Sequence, residues 1–361
     1  MKVCFCMIAA LLLPAVRGAE CNNVATPGPP NNETTVTDAP TLVRTSAHGK
    51  LFTVGSGDDA LDVLHVYGKP YDWGFAQGTL MKAKLLDFFP RVYKYFEEQV
   101  FAKAANNSLI AWVAKVGLDV ALDLSYDATK KDTPSYVLEE VQGMADALGE
   151  PSITATDIRR VQWIGELTRG ACSMFGAWGD ATASRGGKML QLRALDWDTD
   201  GPFRDYPAVV VYHPSNASDG HAWANVGFSG WIASITGMSS AGLSISEIGV
   251  SYPDETFGNE TYLMPGYPWG FLLRDILQRD TNLSSGLERI TSATRTCDLL
   301  LGVGDGNAAE GDGAFRGVQY SPGPANVFDD ANLEPSQYAW HPRIKVCFYL
   351  PLHFKRILLT I

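Results

Sequence analysis

Cys172 is the residue of this sequence that is best placed to act as a nucleophile. A free thiol has a pKa of about 8.5, so at or below neutral pH it needs a base within hydrogen-bond reach. A cut between Ala171 and Cys172 would supply that base, because the new α-amino group has a reference pKa of about 7.7 to 8.0. One residue can then carry both the attacking sulfur and its proton acceptor, and no histidine is required.

The precursor chain can make this cut itself. The thiol can attack the preceding carbonyl in an N-to-S acyl shift, and water then releases the acyl group. Gly170 and Ala171 are small, which permits the tight turn that such an attack requires. Ala171 and Cys172 are therefore the predicted cleavage site.

Charged residues on later strands are candidate partners of the thiol. Arg193 and Asp196 follow a Gly-rich turn that should fold their strand back toward Cys172. Asp196 can hold the α-ammonium group, while Arg193 can neutralise that carboxylate and help to place a substrate carbonyl. Glu247, at the end of another strand, and Trp197 are predicted to line the substrate pocket.

Plainer interpretations are open for the same residues. Cys172 can be an ordinary buried cysteine or the disulfide partner of Cys297. Arg193 and Asp196 can form a structural ion pair, and a lone Glu247 is typical of a solvated strand end.

The sequence pattern changes at Cys172 from helical to strand periodicity. Before it, helical runs include one from Pro134 to Gly149 and one capped near Thr156 that ends at Gly170. The predicted strands are 61–67, 172–177, 188–194, 208–213, 222–228, 231–236 and 243–248, and further helices are predicted at 271–278 and 284–291. A helical half that feeds an antiparallel sheet favours a layered α+β sandwich.

The N-terminus has the layout of a secretory signal peptide. Lys2 precedes an apolar stretch that is too short to span a bilayer, and small residues follow, so residues 1–19 are the predicted signal. Five N-x-S/T sequons are predicted glycosylation sites, at Asn32, Asn106, Asn216, Asn259 and Asn282. We expect a secreted or lysosomal glycoprotein with no stable membrane span.

The stretch rich in Pro, Asn and Thr after the signal predicts a disordered, glycosylated leader over residues 20–50. Four cysteines then stay in the mature chain. Because a catalytic thiol would leave three of them to pair, we expect one disulfide, between Cys21 and Cys347.

Composition excludes several classes of function. The net charge of −11 argues against nucleic-acid binding. The run 302–307 lacks both the Walker lysine and the acid spacing of an EF-hand, and is predicted to be a plain loop. The histidines have no metal-ligand spacing, so neither a metal nor another cofactor is expected.

Several stretches resemble the penicillin acyltransferase (isopenicillin N acyltransferase) family and its acid ceramidase-like members. Gly-Ala-Cys172-Ser, the Gly-Gly hairpin and Arg193-x-x-Asp196-Trp-Asp resemble the autoprocessing site of that family. Tyr71-Asp-Trp-Gly-Phe-Ala-Gln-Gly78 and Gly237-Met-Ser-Ser-Ala-Gly242 resemble other recurrent stretches of it. The resemblance extends from about residue 61 to residue 320.

This resemblance implies an N-terminal-nucleophile hydrolase with an αββα sandwich. Residues 51–171 would form a helical α-subunit or propeptide, and residues 172–361 a sheet-bearing β-subunit with an incomplete C-terminal part. Cys172 would be the nucleophile, with Arg193 and Asp196 as its partners, and Glu247 falls where acid ceramidase has a glutamate. Such enzymes usually have an asparagine in the oxyanion hole; this chain has Asp298 there, and Asn307 or a backbone N–H is the substitute.

The sequence leaves three functions open. The first is an autoprocessed amidohydrolase or acyltransferase that acts on N-acyl substrates such as ceramide-like lipids and stays bound to its own cleaved N-terminal subunit. The second is a cysteine-histidine protease, in which Cys172 would open a helix. The third is a secreted relative without catalytic activity.

Overall fold

The computed structural model describes most of the chain between residues 38 and 329 and one short strand near the C-terminus. The described residues are 38–57, 60–103, 108–168, 171–196, 201–252, 255–257, 263–308, 314–329 and 357–358.

Ten strands form one large sheet in the spatial order β1-β2-β3-β6-β7-β8-β9-β10-β11-β12. Their bounds are β1 Thr41–Ser46, β2 Gly49–Val54, β3 Leu61–Gly68, β6 Pro207–Pro214, β7 Trp223–Phe228, β8 Thr236–Ser239, β9 Leu243–Gly249, β10 Leu299–Asp305, β11 Phe315–Tyr320 and β12 Ala325–Phe328. Neighbouring strands run antiparallel except β3 and β6, which are parallel.

A second, smaller sheet has the order β13-β4-β5. Its strands are β4 Ala171–Ala177, β5 Leu190–Asp196 and the two-residue β13 Ile357–Leu358. The helices are α1 Pro70–Leu80, α2 Lys82–Lys103, α3 Ser108–Val116, α4 Leu118–Thr129, α5 Ser135–Leu148, α6 Ala155–Leu167, α7 Trp269–Arg279 and α8 Leu283–Ser292.

The two faces of the large sheet have different neighbours. Side chains that alternate along its strands, such as Leu64, Tyr212 and Leu301, join the helices in one buried apolar cluster. The opposite face of β9 and β10 carries the small sheet. Helices, large sheet and small sheet are three successive layers, and the described residues include no α-helix of a fourth layer. The predicted mixed α+β class is confirmed.

The predicted disordered leader extends too far along the chain. The sequence predicts it over residues 20–50, but β1 begins at Thr41 and β2 at Gly49. The two strands form a hairpin in which Ser46 lies opposite Gly49, and β2 pairs with β3. The short, partly polar strand β1 has little alternation, and its place is fixed by pairing that sequence periodicity does not reveal.

The predicted strand 231–236 is wrong over most of its length, because the chain enters a strand only at Thr236. The backbone of Ile232 instead bonds to side chains from three other elements. Its N–H donates to Gln162 Oε1 at 2.9 Å, and its carbonyl accepts from Arg274 at 3.0 Å and from Asn225 at 3.3 Å. These bonds replace a strand ladder, so the apolar run is buried without being a strand.

The predicted loop at 302–307 is wrong over its first four residues, because Gly302 to Asp305 belong to β10, and only Gly306 and Asn307 lie in a turn. A Cβ on Gly302 would lie 2.6 Å from the ring of Phe315, and one on Gly304 would lie 2.6 Å from Gln191 Oε1. The glycines are therefore needed for close packing under the small sheet rather than for a turn.

Helices α1 and α5 approach each other through glycines. A Cβ on Gly74 would lie 1.8 Å from the Glu140 carbonyl oxygen, and one on Gly143 would lie 2.1 Å from the Tyr71 carbonyl oxygen. Neither position can accept a side chain unless the helices separate.

The parallel pair β3 and β6 carries two histidines on its outer face. His65 and His213 lie 2.9 Å apart between ring nitrogens, Lys50 lies opposite His65, and Tyr67 stacks on His213. Burial lowers the pKa of His65 below 6.5, with a further contribution from Lys50. Burial also lowers the pKa of His213, with His65 as the second cause.

We expect Gly143→Ala to destabilise the protein by about 1 to 3 kcal/mol through overpacking. This loss should exceed the gain of about 1 kcal/mol that alanine brings to a helix interior. Chemical denaturation measures the difference, and Glu139→Ala, on an exposed position of the same helix, is the matched control. A Gly143→Ala protein as stable as the control would contradict the close approach.

The histidine pair should make stability depend on pH. Because both pKa values are lowered in the folded state, the neutral rings contribute fully above pH 6.5, and this contribution is lost as pH falls below it. Between about pH 7.5 and 5 the wild type should lose more free energy of unfolding than the His65→Gln/His213→Gln variant. His221→Gln, outside the pair, is the control, and equal losses in all three proteins would refute the assignment.

Candidate active site

The thiol of Cys172 lies between the two sheets at the start of β4. Cys172 is opposite Leu195 in the β4–β5 ladder, and its side chain points toward the large sheet. Only 5% of the residue is exposed, and it packs with Met174 and Ile248. Further along β4, a Cβ on Gly176 would lie 2.3 Å from the Phe315 ring, so glycine permits the strand to lie this close to the large sheet.

Arg193 is the charged group in contact with the thiol. It lies on β5 and points inward, and its Nη2 donates to Cys172 Sγ at 3.2 Å. Its Nε donates to the Glu247 carbonyl oxygen at 2.8 Å, and its Nη1 donates to Thr236 Oγ1 at 3.3 Å. Three residues thus contact the guanidinium: Thr236 on β8 and Glu247 on β9 of the large sheet, and Cys172 on β4 of the small sheet.

Glu247 forms the ion pair that compensates Arg193. Its Oε1 accepts from Arg193 Nη2, and the two side chains are only 8% and 4% exposed. The last β8–β9 pair joins Thr236 to Ser246, so the next residue of β9 has no β8 partner beside it. This end of β8 leaves an opening through which the guanidinium reaches Glu247. The expectation of a solvated strand end is therefore wrong.

Asp196 is the last residue of β5. Asp196 lies opposite Ala171 in the β4–β5 ladder, which places the predicted cleavage bond beside the C-terminal end of β5. The side chains of Asp196 and Ala171, and the whole of Trp197, lie outside the described residues. Their predicted roles stay predictions.

Cys172 and Cys297 are both buried, and no disulfide joins them. The alternative in which they form a disulfide is therefore wrong. The predicted Cys21–Cys347 bridge lies outside the described residues. Of the predicted glycosylation sites, Asn216 and Asn282 lie on the surface; Asn32, Asn106 and Asn259 are outside the described part of the chain.

The two side chains considered for an oxyanion hole lie at opposite ends of β10. Leu300 packs near Cys172, and from there β10 continues for about 17 Å to its end at Asp305, after which Asn307 lies in a turn. Its Nδ2 donates to the Ala241 carbonyl at 2.8 Å. Asp298 lies at the thiol's end of the strand and is buried, and its Oδ2 accepts from the Tyr252 N–H at 3.0 Å. The structure thus excludes Asn307 as a group that acts at the thiol.

Two residues near the thiol had no signal in the sequence. Thr236 binds Arg193 from the end of a short strand, and Gln191 binds the large sheet two residues before Arg193. A single threonine or glutamine in a strand pattern is indistinguishable from any other polar position. These two residues lie near the site only because the two sheets pack against each other.

In the described part of the chain, no three His, Cys, Asp or Glu side chains converge on a point where a metal ion would fit. Over the same residues, no helix combines the length and the apolar character needed to cross a membrane.

Comparisons with known proteins give relatives but no matching protein-family model. The chain is 32% identical over 324 residues to Protein dcd1B of Dictyostelium discoideum, an alignment that covers 87% of this chain and 62% of that protein. It is 25% identical over 281 residues to an uncharacterized protein of Archaeoglobus fulgidus, and covers 43% of that protein's length.

Among solved structures, the Caenorhabditis elegans N-acylethanolamine-hydrolyzing acid amidase (NAAA) ortholog aligns with 44% of this chain and 63% of its own. The TM-score is 0.32 and the sequence identity 15%.

Protein dcd1A of Dictyostelium discoideum is 34% identical over 366 residues, which cover 97% of this chain and 78% of that protein. With this identity over nearly its whole length, the chain belongs to the protein family that contains Protein dcd1A.

Proposed function

We propose that this chain is a precursor that cuts itself between Ala171 and Cys172 and then uses Cys172 to cleave the amide bond of N-acyl substrates. The observation that carries the proposal is the contact between Cys172 Sγ and a buried guanidinium. Arg193 Nη2 lies 3.2 Å from the sulfur and is held by Glu247. A fixed positive charge at this distance favours the thiolate, which is the attacking form of cysteine.

Self-cleavage is an N-to-S acyl shift followed by hydrolysis. Cys172 Sγ attacks the Ala171 carbonyl carbon, a C–S bond forms, and the C–N bond to Cys172 breaks. The thiol proton goes to the departing nitrogen, which becomes the α-amino group. Water then hydrolyses the thioester, which releases the Ala171 carboxylate and restores the Cys172 thiol.

Turnover of an external amide uses the same atoms. The α-amino group of Cys172 accepts the thiol proton, and the thiolate attacks the substrate carbonyl. The substrate amine departs with the proton, and water or another acceptor takes the acyl group from the sulfur. Hydrolysis and acyl transfer differ only in this last acceptor.

Arg193 and Glu247 have distinct roles in this scheme. Arg193 stabilises the thiolate and lies where it can bind the carbonyl oxygen as it gains negative charge. Glu247 neutralises and orients the guanidinium, so its role is positioning as well as lining the pocket. Asp196 is proposed to hold the α-amino group, and Trp197 to contact the substrate.

The substrate class rests on the resemblance to acid ceramidase-like proteins. By that resemblance the substrate is a small N-acyl amide, with ceramide-like lipids as the preferred group. The motifs around Cys172, Arg193 and Asp196 support this assignment, and the hydrolase or acyltransferase activity follows from it.

The two products of the cut are proposed to stay together as subunits. Strand β3 precedes the cut and β6 follows it, and they pair along seven residues of the same sheet. A buried ion pair also crosses the cut, since Glu140 of α5 lies 2.7 Å from Arg274 of α7. Separation would expose both the sheet edge and the unpaired charges.

Entry into the secretory pathway is proposed from the signal sequence and the sequons. Asn216 and Asn282 are exposed, which is compatible with glycosylation at these positions. An acidic compartment such as the lysosome is the proposed destination.

The position of Cys172 in a strand favours this scheme over a cysteine-histidine protease. In the protease arrangement the nucleophile would open a helix, whereas Cys172 is the second residue of β4. A relative without catalytic activity is the outcome expected if the wild-type chain stays intact.

We expect the purified wild-type protein to yield two chains at acidic pH, the second beginning with Cys172. Cys172→Ala should stay as one chain, because it lacks the sulfur that attacks the Ala171 carbonyl. Intact mass spectrometry measures both, with Cys297→Ala as the control for a buried thiol elsewhere in the fold. An uncut wild type, or a Cys172→Ala chain cut at the same bond, would refute the mechanism.

Arg193→Lys should slow self-cleavage by about 100-fold, the loss typical of removing a group that stabilises transition-state charge. Lysine keeps the positive charge but cannot bind the sulfur, Glu247 and Thr236 together as the planar guanidinium does. Time courses of cleavage measure the rate, and Arg185→Lys, an exposed arginine between β4 and β5, is the control. A wild-type rate in Arg193→Lys would show that guanidinium geometry is unimportant.

A further inference from the structure

Gln191 connects the small sheet to two strands of the large one. It lies two residues before Arg193 on β5, so both side chains point toward the large sheet. Its amide nitrogen donates to Ser246 Oγ at 2.7 Å and to the Gly302 carbonyl at 3.2 Å. Its amide oxygen accepts from Ser244 Oγ at 2.6 Å. One side chain thus binds both β9 and β10.

The large sheet leaves space for this amide. A Cβ on Gly304 would lie 2.6 Å from Gln191 Oε1 and 2.7 Å from Ser244 Oγ, and one on Gly302 would lie 2.6 Å from Ser246 Oγ. Any larger residue at either glycine would displace the hydrogen-bonded groups. The amide network therefore fills a gap that glycine alone leaves open.

The network reaches the residues adjacent to the candidate site. Ser246 is fully buried and immediately precedes Glu247 on β9. Its hydroxyl also contacts Met174 Sδ at 3.3 Å, and Met174 lies two residues after Cys172 on the same face of β4. Ser246 is thus in contact with both β4 and β5.

Apolar contact between two sheets has no preferred direction, so it does not by itself fix how far one sheet slides over the other. Hydrogen bonds depend on both distance and angle. Three hydrogen bonds from the Gln191 amide hold β5 at a defined position along β9. Arg193 is the next residue of β5 that points toward the large sheet, and at this position it reaches Glu247.

Resting on the function proposed above, we propose that Gln191 is a positioning residue for the reaction at Cys172. Its amide fixes the small sheet on the large one so that the guanidinium of Arg193 meets the sulfur. Gln191 does not touch the reacting atoms, and it acts through Arg193 and β4.

Loss of the amide must be separated from loss of stability. Gln191→Met keeps the length of the side chain but leaves the two serine hydroxyls without their partner, which destabilises a buried site. The Gln191→Met/Ser244→Ala/Ser246→Ala variant removes those hydroxyls as well, and it should regain most of the lost thermal stability. Ser244→Ala/Ser246→Ala alone is the matched control.

Self-cleavage should fall about tenfold or more in the triple variant, because small displacements of reacting groups lower rates steeply. The rate should stay low although the melting temperature recovers. A triple variant that regains the wild-type rate together with its stability would overturn the proposal, since Gln191 would then serve stability alone.

A second measurement separates this proposal from the proposed function. If the wild-type chain never cuts itself, the proposed function fails, but alkylation of Cys172 by iodoacetamide still reports on Arg193, which favours the reactive thiolate. Slower alkylation in the triple variant and in Arg193→Gln than in the wild type would support the positioning role. Equal rates in the wild type and the triple variant would overturn it.

Discussion

A guanidinium buried between two sheets is the group on which the candidate site depends. Arg193 is 4% exposed, so its charge must be compensated inside the protein, and Glu247 provides the opposite charge. Removing either partner of such a pair typically costs about 3 to 5 kcal/mol. Because the pair is buried, the guanidinium acts on the sulfur with less screening than it would have in solvent. The stability of this region and the reactivity proposed for Cys172 therefore depend on the same contact.

A second buried ion pair fixes the larger frame behind that contact. Glu140 and Arg274 are fully buried, and Tyr212 and Gln77 donate to the same Glu140 oxygen. Aromatic rings surround the guanidinium of Arg274, with Tyr136 at 4.6 Å and Tyr212 at 4.8 Å. Helices from both sides of Cys172 and strand β6 meet in this network. It holds the large sheet in a fixed relation to the helices, and the small sheet then has a rigid surface on which to pack.

Sequence periodicity was sufficient to predict helices and strands that local sequence pattern alone determines. The helix predicted from Pro134 to Gly149 is found as α5, which ends at a left-handed Gly149, and the strand that contains Cys172 is found as β4. Prediction from periodicity failed where contacts between residues distant in sequence decide the structure. The segment before Thr236 is apolar like a strand, yet side chains of other elements take its backbone bonds. Gly302 lies in a strand because it pairs with Ser246 of β9 and Gly317 of β11, partners that are distant in sequence.

The candidate site was predictable in its residue types but not in its connections. Cys172, Arg193 and Glu247 could be chosen from chemistry and from resemblance, and the structure brings these three together. That Glu247 is buried, and that Thr236 binds the guanidinium, depend on where β8 ends beside β9. No local pattern encodes the end of a pairing between two strands, because it is a property of both strands and of the sheet above them.

The position of the nucleophile at the beginning of a strand unites the two proposed reactions. Ala171 lies opposite Asp196 and Cys172 opposite Leu195, so the same ladder would hold the bond before the proposed cut and the new terminus after it. In the proposed scheme the acyl group of Ala171 is the first substrate of the sulfur, and its departure leaves space where an external acyl group can bind. In this scheme Arg193 would contact the Ala171 carbonyl and the substrate carbonyl in the same geometry. In that scheme the site needs no rearrangement between self-cleavage and turnover, because the same atoms would act on both amide bonds.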